Sequence, residues 1–229
     1  HMDNITKTKF FVELIKPSHY DDDGYVIQWR KSWIPSNTLA CINALTQDAA
    51  DRNVLGNDVE FVINAYDEMN IVIPVTDIIR RFKNGGEHGI VLFVGVQSNQ
   101  FPRTMDIVRQ FRKENIQVAI GGFHVSGSIS MLPQLPEELK EATEAGIALF
   151  AGEAEEGRLV EVFNDAYQEK LKPIYNHLED LPGLEGQPMP IMPASVAERF
   201  VSKIGSFDAG RGCSFLCSFC TVINVQGRK

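Results

Sequence analysis

Gly89-Ile90-Val91-Leu92-Phe93-Val94-Gly95-Val96 is an almost unbroken apolar run of strand length. A strand with one face in water alternates polar and apolar residues. A run with no polar position has both faces covered, as in the interior of a parallel sheet. Four further short runs flank it: Phe10 to Ile15, Val59 to Tyr66, Gln117 to Ile120 and Ile147 to Phe150. Helical segments separate them, from Leu39 to about Leu55, Val75 to Lys83, Arg103 to Asn115, Pro136 through Ala145, and Arg158 to Lys170. Ser36-Asn37 offers an N-cap to the first helix, and Asn84-Gly85-Gly86 closes the second. Five strands alternating with five helices predict an α/β fold, a doubly wound five-stranded parallel sheet covered on both faces.

The chain has 229 residues, 44% hydrophobic and 23% charged, which is enough for one full core with residues to spare. A formal net charge of −8 and the lack of any Lys/Arg block argue against a nucleic-acid partner. Neither a signal peptide nor an apolar stretch of membrane length is present, which predicts a cytoplasmic protein with no membrane span.

Doubly wound sheets bind ligands beyond the carboxyl ends of their strands, where strand order reverses. The candidate cofactor-binding residues are therefore Ser98 after the third strand, Gly121, Gly122 and His124 after the fourth, and Gly152 and Glu153 after the fifth. Paired glycines let a ligand approach the backbone. His124 can contact a ligand or cap its loop. The long loop from Ser18 to Pro35 carries His19, the Asp21-Asp22-Asp23 run, Trp29 and Trp33. Its length suggests a functional role, although solvated loop acids are commoner than a cation site. For the two tryptophans, packing is favoured over closure on a planar ligand.

Cys213-Ser214-Phe215-Leu216-Cys217-Ser218-Phe219-Cys220 holds three thiols at C-x3-C-x2-C spacing. Such a loop can wrap one corner of a 4Fe-4S cluster and leave the fourth iron open. A structural zinc site needs four ligands, and no fourth cysteine or histidine stands within the loop's reach. A disulfide needs an oxidising compartment. Cys41, in the first helix, reads as a small core residue.

With Arg211-Gly212 before the first cysteine and Phe219 before the last, this loop resembles the signature of the radical S-adenosylmethionine enzymes. The resemblance implies that Cys213, Cys217 and Cys220 ligate a 4Fe-4S cluster whose open iron chelates S-adenosylmethionine. Residues 8–175 are similar to the cobalamin-binding domain of one large subgroup, a flavodoxin-like or Rossmann-like unit. The matching points are Ser98, Gly121-Gly122, and Gly152-Glu153 continued by Ala154-Glu155 as a G-E-x-E turn. One departure is plain. The D-x-H-x-x-G motif that supplies a histidine to cobalt is absent, because no Asp stands two residues before His19 and Gly24 lies too far beyond it.

The implied organisation is a cobalamin-binding α/β domain over 8–175, a Pro/Gly-rich linker over 176–199 that adds little to any core, and the start of a radical S-adenosylmethionine barrel over 200–229. The first strand of that barrel is expected from Phe200 to Phe207, and the rest of the barrel is expected to be missing. The implied activity is methyl transfer to an unactivated carbon of a small-molecule substrate. An external electron donor such as flavodoxin or ferredoxin is the implied partner, and the fragment alone is expected to be inactive. Two alternatives stay open: a non-catalytic module for a corrin or another flat ligand, or an enzyme of ring closure or rearrangement.

Overall fold

The structure is a computed structural model that describes residues 6–86, 88–201, 210–215, 217 and 219–227. Six strands form one all-parallel sheet in the order β2-β1-β3-β4-β5-β6. They are β1 Thr8–Lys16, β2 Val59–Asp67, β3 Gly89–Phe93, β4 Val118–Gly121, β5 Ala148–Ala151 and β6 Ile174–Asn176. The helices are α1 Asn37–Asp51, α2 Val75–Asn84, α3 Phe101–Lys113, α4 Phe123–Met131, α5 Glu137–Glu144, α6 Arg158–Tyr167, and two short ones, α7 Ala194–Ala197 and α8 Thr221–Val225.

The period-two geometry of β1 divides the core. Phe10, Val12 and Leu14 face α1 and α6, whereas Phe11 and Ile15 face α2 and α3. Every residue of β3 is buried, as its continuous apolar sequence requires. Phe10 meets Phe61, Phe163 and Tyr167 edge to face at centroid distances of 5.3, 6.2 and 5.9 Å, tying β1 to β2 and α6. Each such pair contributes about 0.5–1.5 kcal/mol beyond its buried area. Ser36 caps α1, its hydroxyl accepting from Leu39 N at 3.2 Å. No helix among the described residues is long and apolar enough to cross a membrane.

Three features differ from the sequence expectations. The sheet has six strands rather than five, because Ile174–Asn176 pairs with the edge of β5 across the expected domain boundary. A helix, α4, starts directly after Gly122 where a loop was expected. Its sequence, FHVSGSISM, has no polar–apolar period, and tertiary packing of Val125, Ser126 and Gly127 holds it. The Pro/Gly-rich stretch is also not a bare linker. Val196 within it, and Tyr175 and Phe200 at its two ends, are buried in the α1/α6 core. Ile191 N donates to Ala40 O at 3.1 Å, and Asn43 Nδ2 donates to Ile191 O at 2.8 Å. Proline and glycine forbid regular structure there but do not prevent isolated apolar side chains from packing. Of the strand expected from Phe200 to Phe207, Phe200 forms an isolated bridge with Ser32, and 202–207 lie outside the described residues.

The order of strands reverses at β1, which has β2 on one side and β3 on the other. The crevice beyond Lys16, Asp67 and Phe93 is thus the expected ligand position in a fold of this kind.

Candidate functional site

A cavity of about 680 Å³ opens at that point, between α1 and α6 and over the ends of β1, β3, β4 and β5. Leu92, Val94, Ala119, Leu159 and Val162 give it an apolar wall. Lys16 and Asp67 stand at its strand ends, and Glu153, Glu155 and Arg211 stand on the side nearer the cysteine loop.

The six candidate residues from the sequence fall into two groups. Gly121, Gly122, Gly152 and Glu153 line the cavity. Ser98 and His124 are not part of its lining; they pair with each other, Ser98 Oγ lying 3.1 Å from His124 Nδ1. The His124 ring also lies tilted against Phe101 at a centroid distance of 4.5 Å, and its Nε2 lies 2.9 Å from Glu138 Oε1, so it is engaged with α3 and α5. Burial holds its pKa below the ordinary imidazole value, and Glu138 opposes the shift.

The glycines have different reasons. Gly122 has φ +140°, and a Cβ there would lie 2.2 Å from Val96 N, so the neighbouring backbone demands it. Gly152, at φ +104°, would meet His177 O at 2.7 Å. Gly121 is unlike both: a Cβ there would meet Phe150 at an ordinary 3.7 Å. The backbone tolerates a side chain at Gly121, and its absence leaves open space in the cavity.

Lys16 was not singled out by sequence, because it ends an apolar strand as an ordinary charged terminus would. Its Nζ donates to Gly95 O at 3.0 Å and to Gln100 Oε1 at 2.9 Å. Burial lowers its pKa to about 8, against the pull of Asp67. Asp67 is its register partner on β2. Burial raises the Asp67 pKa, while the Met69 N–H, donating to Oδ1 at 3.0 Å, and the Lys16 charge act the other way.

Arg211 closes one side of the cavity. Its Nη1 lies 2.7 Å from Glu153 Oε2 and its Nη2 lies 2.5 Å from Glu155 Oε1. Gln226 Nε2 donates to Glu153 Oε1 at 2.8 Å. Burial disfavours the Arg211 charge, but the Glu155 hydrogen bond and the two carboxylate charges prevail and raise its pKa. Cys41, expected in the core, is half-buried in the cavity wall and interacts electrostatically with Arg211.

Residues on both sides of the cysteine loop are seated on the α/β unit. Before it stands the Arg211 clamp. After it, α8 packs on α4, where a Cβ at Gly127 would come within 2.8 Å of Thr221 Cγ2, and Ser130 Oγ donates to Asn224 O at 2.9 Å. Cys213, Cys217 and Cys220 are free thiols. Among the described residues, no three His, Cys, Asp or Glu side chains are close enough together to hold a metal ion. The thiols are therefore not gathered into a cluster site in this arrangement, and no chemical step through iron is derived from it.

The long loop after β1 is held by buried Glu68, whose Oε2 accepts from Ser18 N at 2.9 Å and whose Oε1 accepts from Arg103 Nε at 2.9 Å and Nη2 at 2.5 Å. Asp21 Oδ1 accepts from Asp23 N and Tyr25 N, so this acid orders its own turn. Trp29 and Trp33 are 59% and 72% exposed, so neither is a core residue.

No protein-family model matches the chain, and no match was found among curated proteins or among solved structures.

Proposed function

We propose that the α/β unit binds cobalamin and that the chain supplies the cofactor-binding part and the cluster loop of a radical S-adenosylmethionine enzyme, a methyltransferase acting on an unactivated carbon. One observation carries the reading. The cavity at the strand-order reversal, left open by Gly121, is bordered by Arg211 and Gly212 at the start of the C-x3-C-x2-C loop. A volume of about 680 Å³ is suited to a nucleotide-sized tail, and a corrin ring would lie outside over the mouth.

Bound cobalamin would supply a cobalt centre able to carry a methyl group. The chain's own residues do the rest of the holding. Leu92, Val94, Ala119 and Leu159 exclude water from the inserted group, and Glu153 with Glu155 fixes Arg211 so that the cysteine loop begins at the cavity. Ser98 and His124 receive no part in this site. The cluster reading rests on the cysteine spacing. Its test is iron and sulfide content after anaerobic reconstitution, compared between the natural sequence and a variant with Cys213, Cys217 and Cys220 replaced by alanine.

The cobalamin reading is tested by incubation with hydroxocobalamin, gel filtration and an absorption spectrum. Corrin bands co-eluting with the protein are expected, and Gly121→Leu, which fills the cavity without backbone strain, removes them. Absence of corrin from the natural sequence, with circular dichroism intact, overturns the reading. A second reading, a non-catalytic module for a ligand with a nucleotide tail, needs only the cavity. It predicts corrin retention with no cysteine-dependent iron.

A further inference from the structure

Lys16 and Asp67 end adjacent strands, β1 and β2, in the same register, so both side chains project to one face of the sheet. That is the face of Phe10, Val12 and Leu14, and both residues line the cavity there. Two of the three Lys16 ammonium protons go to neutral acceptors, Gly95 O and Gln100 Oε1. One oxygen of Asp67 accepts from Met69 N. A cation beside a carboxylate at the ends of the first two strands is a matched pair for a sugar phosphate. In dinucleotide-binding Rossmann folds an acid about twenty residues after the first strand's turn takes a ribose hydroxyl, while the pyrophosphate lies at that turn, an arrangement of charges comparable to this one. A half-buried ammonium bonded mainly to neutral groups gains more from an arriving anion than an exposed lysine does, because water screens the pairing less there.

We propose that Lys16 and Asp67 read the sugar-phosphate portion of the cavity's ligand, with the Lys16 ammonium on the phosphate and the Asp67 carboxylate on a ribose hydroxyl. The ligand class is a ribonucleotide-type group, whether the nucleotide tail of a corrin or a free nucleotide. The inference rests on the cavity being a cofactor site, as proposed above. Leu92 and Ala119, on the apolar wall of the same cavity, would take the base or other apolar part.

The test uses the full chain with hydroxocobalamin, cobinamide, which lacks the nucleotide and its ribose, adenosine 5′-monophosphate and inorganic phosphate, by equilibrium dialysis. The natural sequence is expected to hold hydroxocobalamin about tenfold or more tighter than cobinamide, the scale of one charge-assisted hydrogen bond. Lys16→Met should remove that preference, leave cobinamide unchanged and weaken both phosphate and the mononucleotide. Lys16→Arg should keep part of it. Asp67→Asn, which retains the acceptor for Met69 N, should weaken the mononucleotide but not inorganic phosphate.

If hydroxocobalamin binds and Lys16→Met leaves its affinity unchanged in a folded protein, the assignment is overturned while the cobalamin reading stands. If neither corrin binds, the cobalamin reading falls and the mononucleotide decides. Lys16-dependent binding then upholds the pair as a sugar-phosphate reader, and no mononucleotide binding overturns it.

Discussion

Replacing Arg211 by methionine keeps an apolar stem in place of the side chain's methylenes and removes both of its bonds to Glu153 and Glu155. The side chains involved are only 15% exposed for Arg211, 18% for Glu153 and 6% for Glu155, so solvent does little to compensate them. Each charge-assisted hydrogen bond is worth about 1.5–3 kcal/mol, and removing one partner of a buried pair costs about 3–5 kcal/mol while the other stays buried. The carboxylates need not stay buried, because the segment from 210 to 227 can lift and admit water. The cost therefore appears as opening of that segment, and the two main core clusters are untouched. A shift of about 3 kcal/mol is roughly a hundredfold in the opening equilibrium. Cys41 in the cavity wall reports it. With Cys213, Cys217 and Cys220 changed to serine, Cys41 is the sole thiol, and its alkylation rate should rise up to a hundredfold on Arg211→Met with little change in melting temperature. Glu155→Gln should act in the same direction and by less. An alkylation rate within about threefold of the parent for both variants would refute the clamp.

Glu68→Gln should cost about 3–5 kcal/mol in urea denaturation, because Arg103 loses its carboxylate beside a fully buried position, and proteolysis should then begin within 17–36. A loss under about 1 kcal/mol would show that the loop is held elsewhere. Gly122→Ala should destabilise by at least about 2 kcal/mol through its positive φ and the approach to Val96 N, whereas Gly121→Ala should be near neutral; equal effects would contradict the distinction. Lys16, ordinarily near 10.5, is lowered to about 8 in the fold. Between pH 8 and 10.5 the unfolded chain binds the proton that the folded protein has released, so stability relative to Lys16→Met should rise with pH across that window and stay flat below it. A pH-independent difference in denaturation free energy would argue against a lowered lysine.

The sheet was legible because burial on both faces leaves an unmistakable mark, as in Gly89 to Val96, and because Ser36 and Asn84-Gly85-Gly86 punctuate their helices. α4 was not legible, since a helix held by its neighbours needs no period of its own. β6 was hidden by its three-residue length amid proline. At the site, Gly121 and Gly122 read alike in sequence, yet one is fixed by a backbone 2.2 Å away and the other is not. Ser98 and His124 stand at strand ends where a ligand is expected, but a strand end has two sides, and the contacts of His124 with Phe101 of α3 and Glu138 of α5, with Ser98 bonded to it, leave both out of the cavity lining. Arg211 was visible as a flank of the cysteines, but its carboxylate partners, some sixty residues earlier, become its neighbours only through folding.

The crossing of residues 174–200 over the α1 face ends with Phe200 pinned beside Ser32. That anchor sets the range of everything downstream. The stretch from Phe200 to Arg211 can span no more than about 40 Å when fully extended. A released Arg211 therefore samples a small volume around Glu153 and Glu155, at an effective concentration on the order of millimolar. Re-seating is intramolecular, so even a modest intrinsic affinity returns the cysteine loop to the cavity, and a free peptide of the same sequence would compete poorly for the seat.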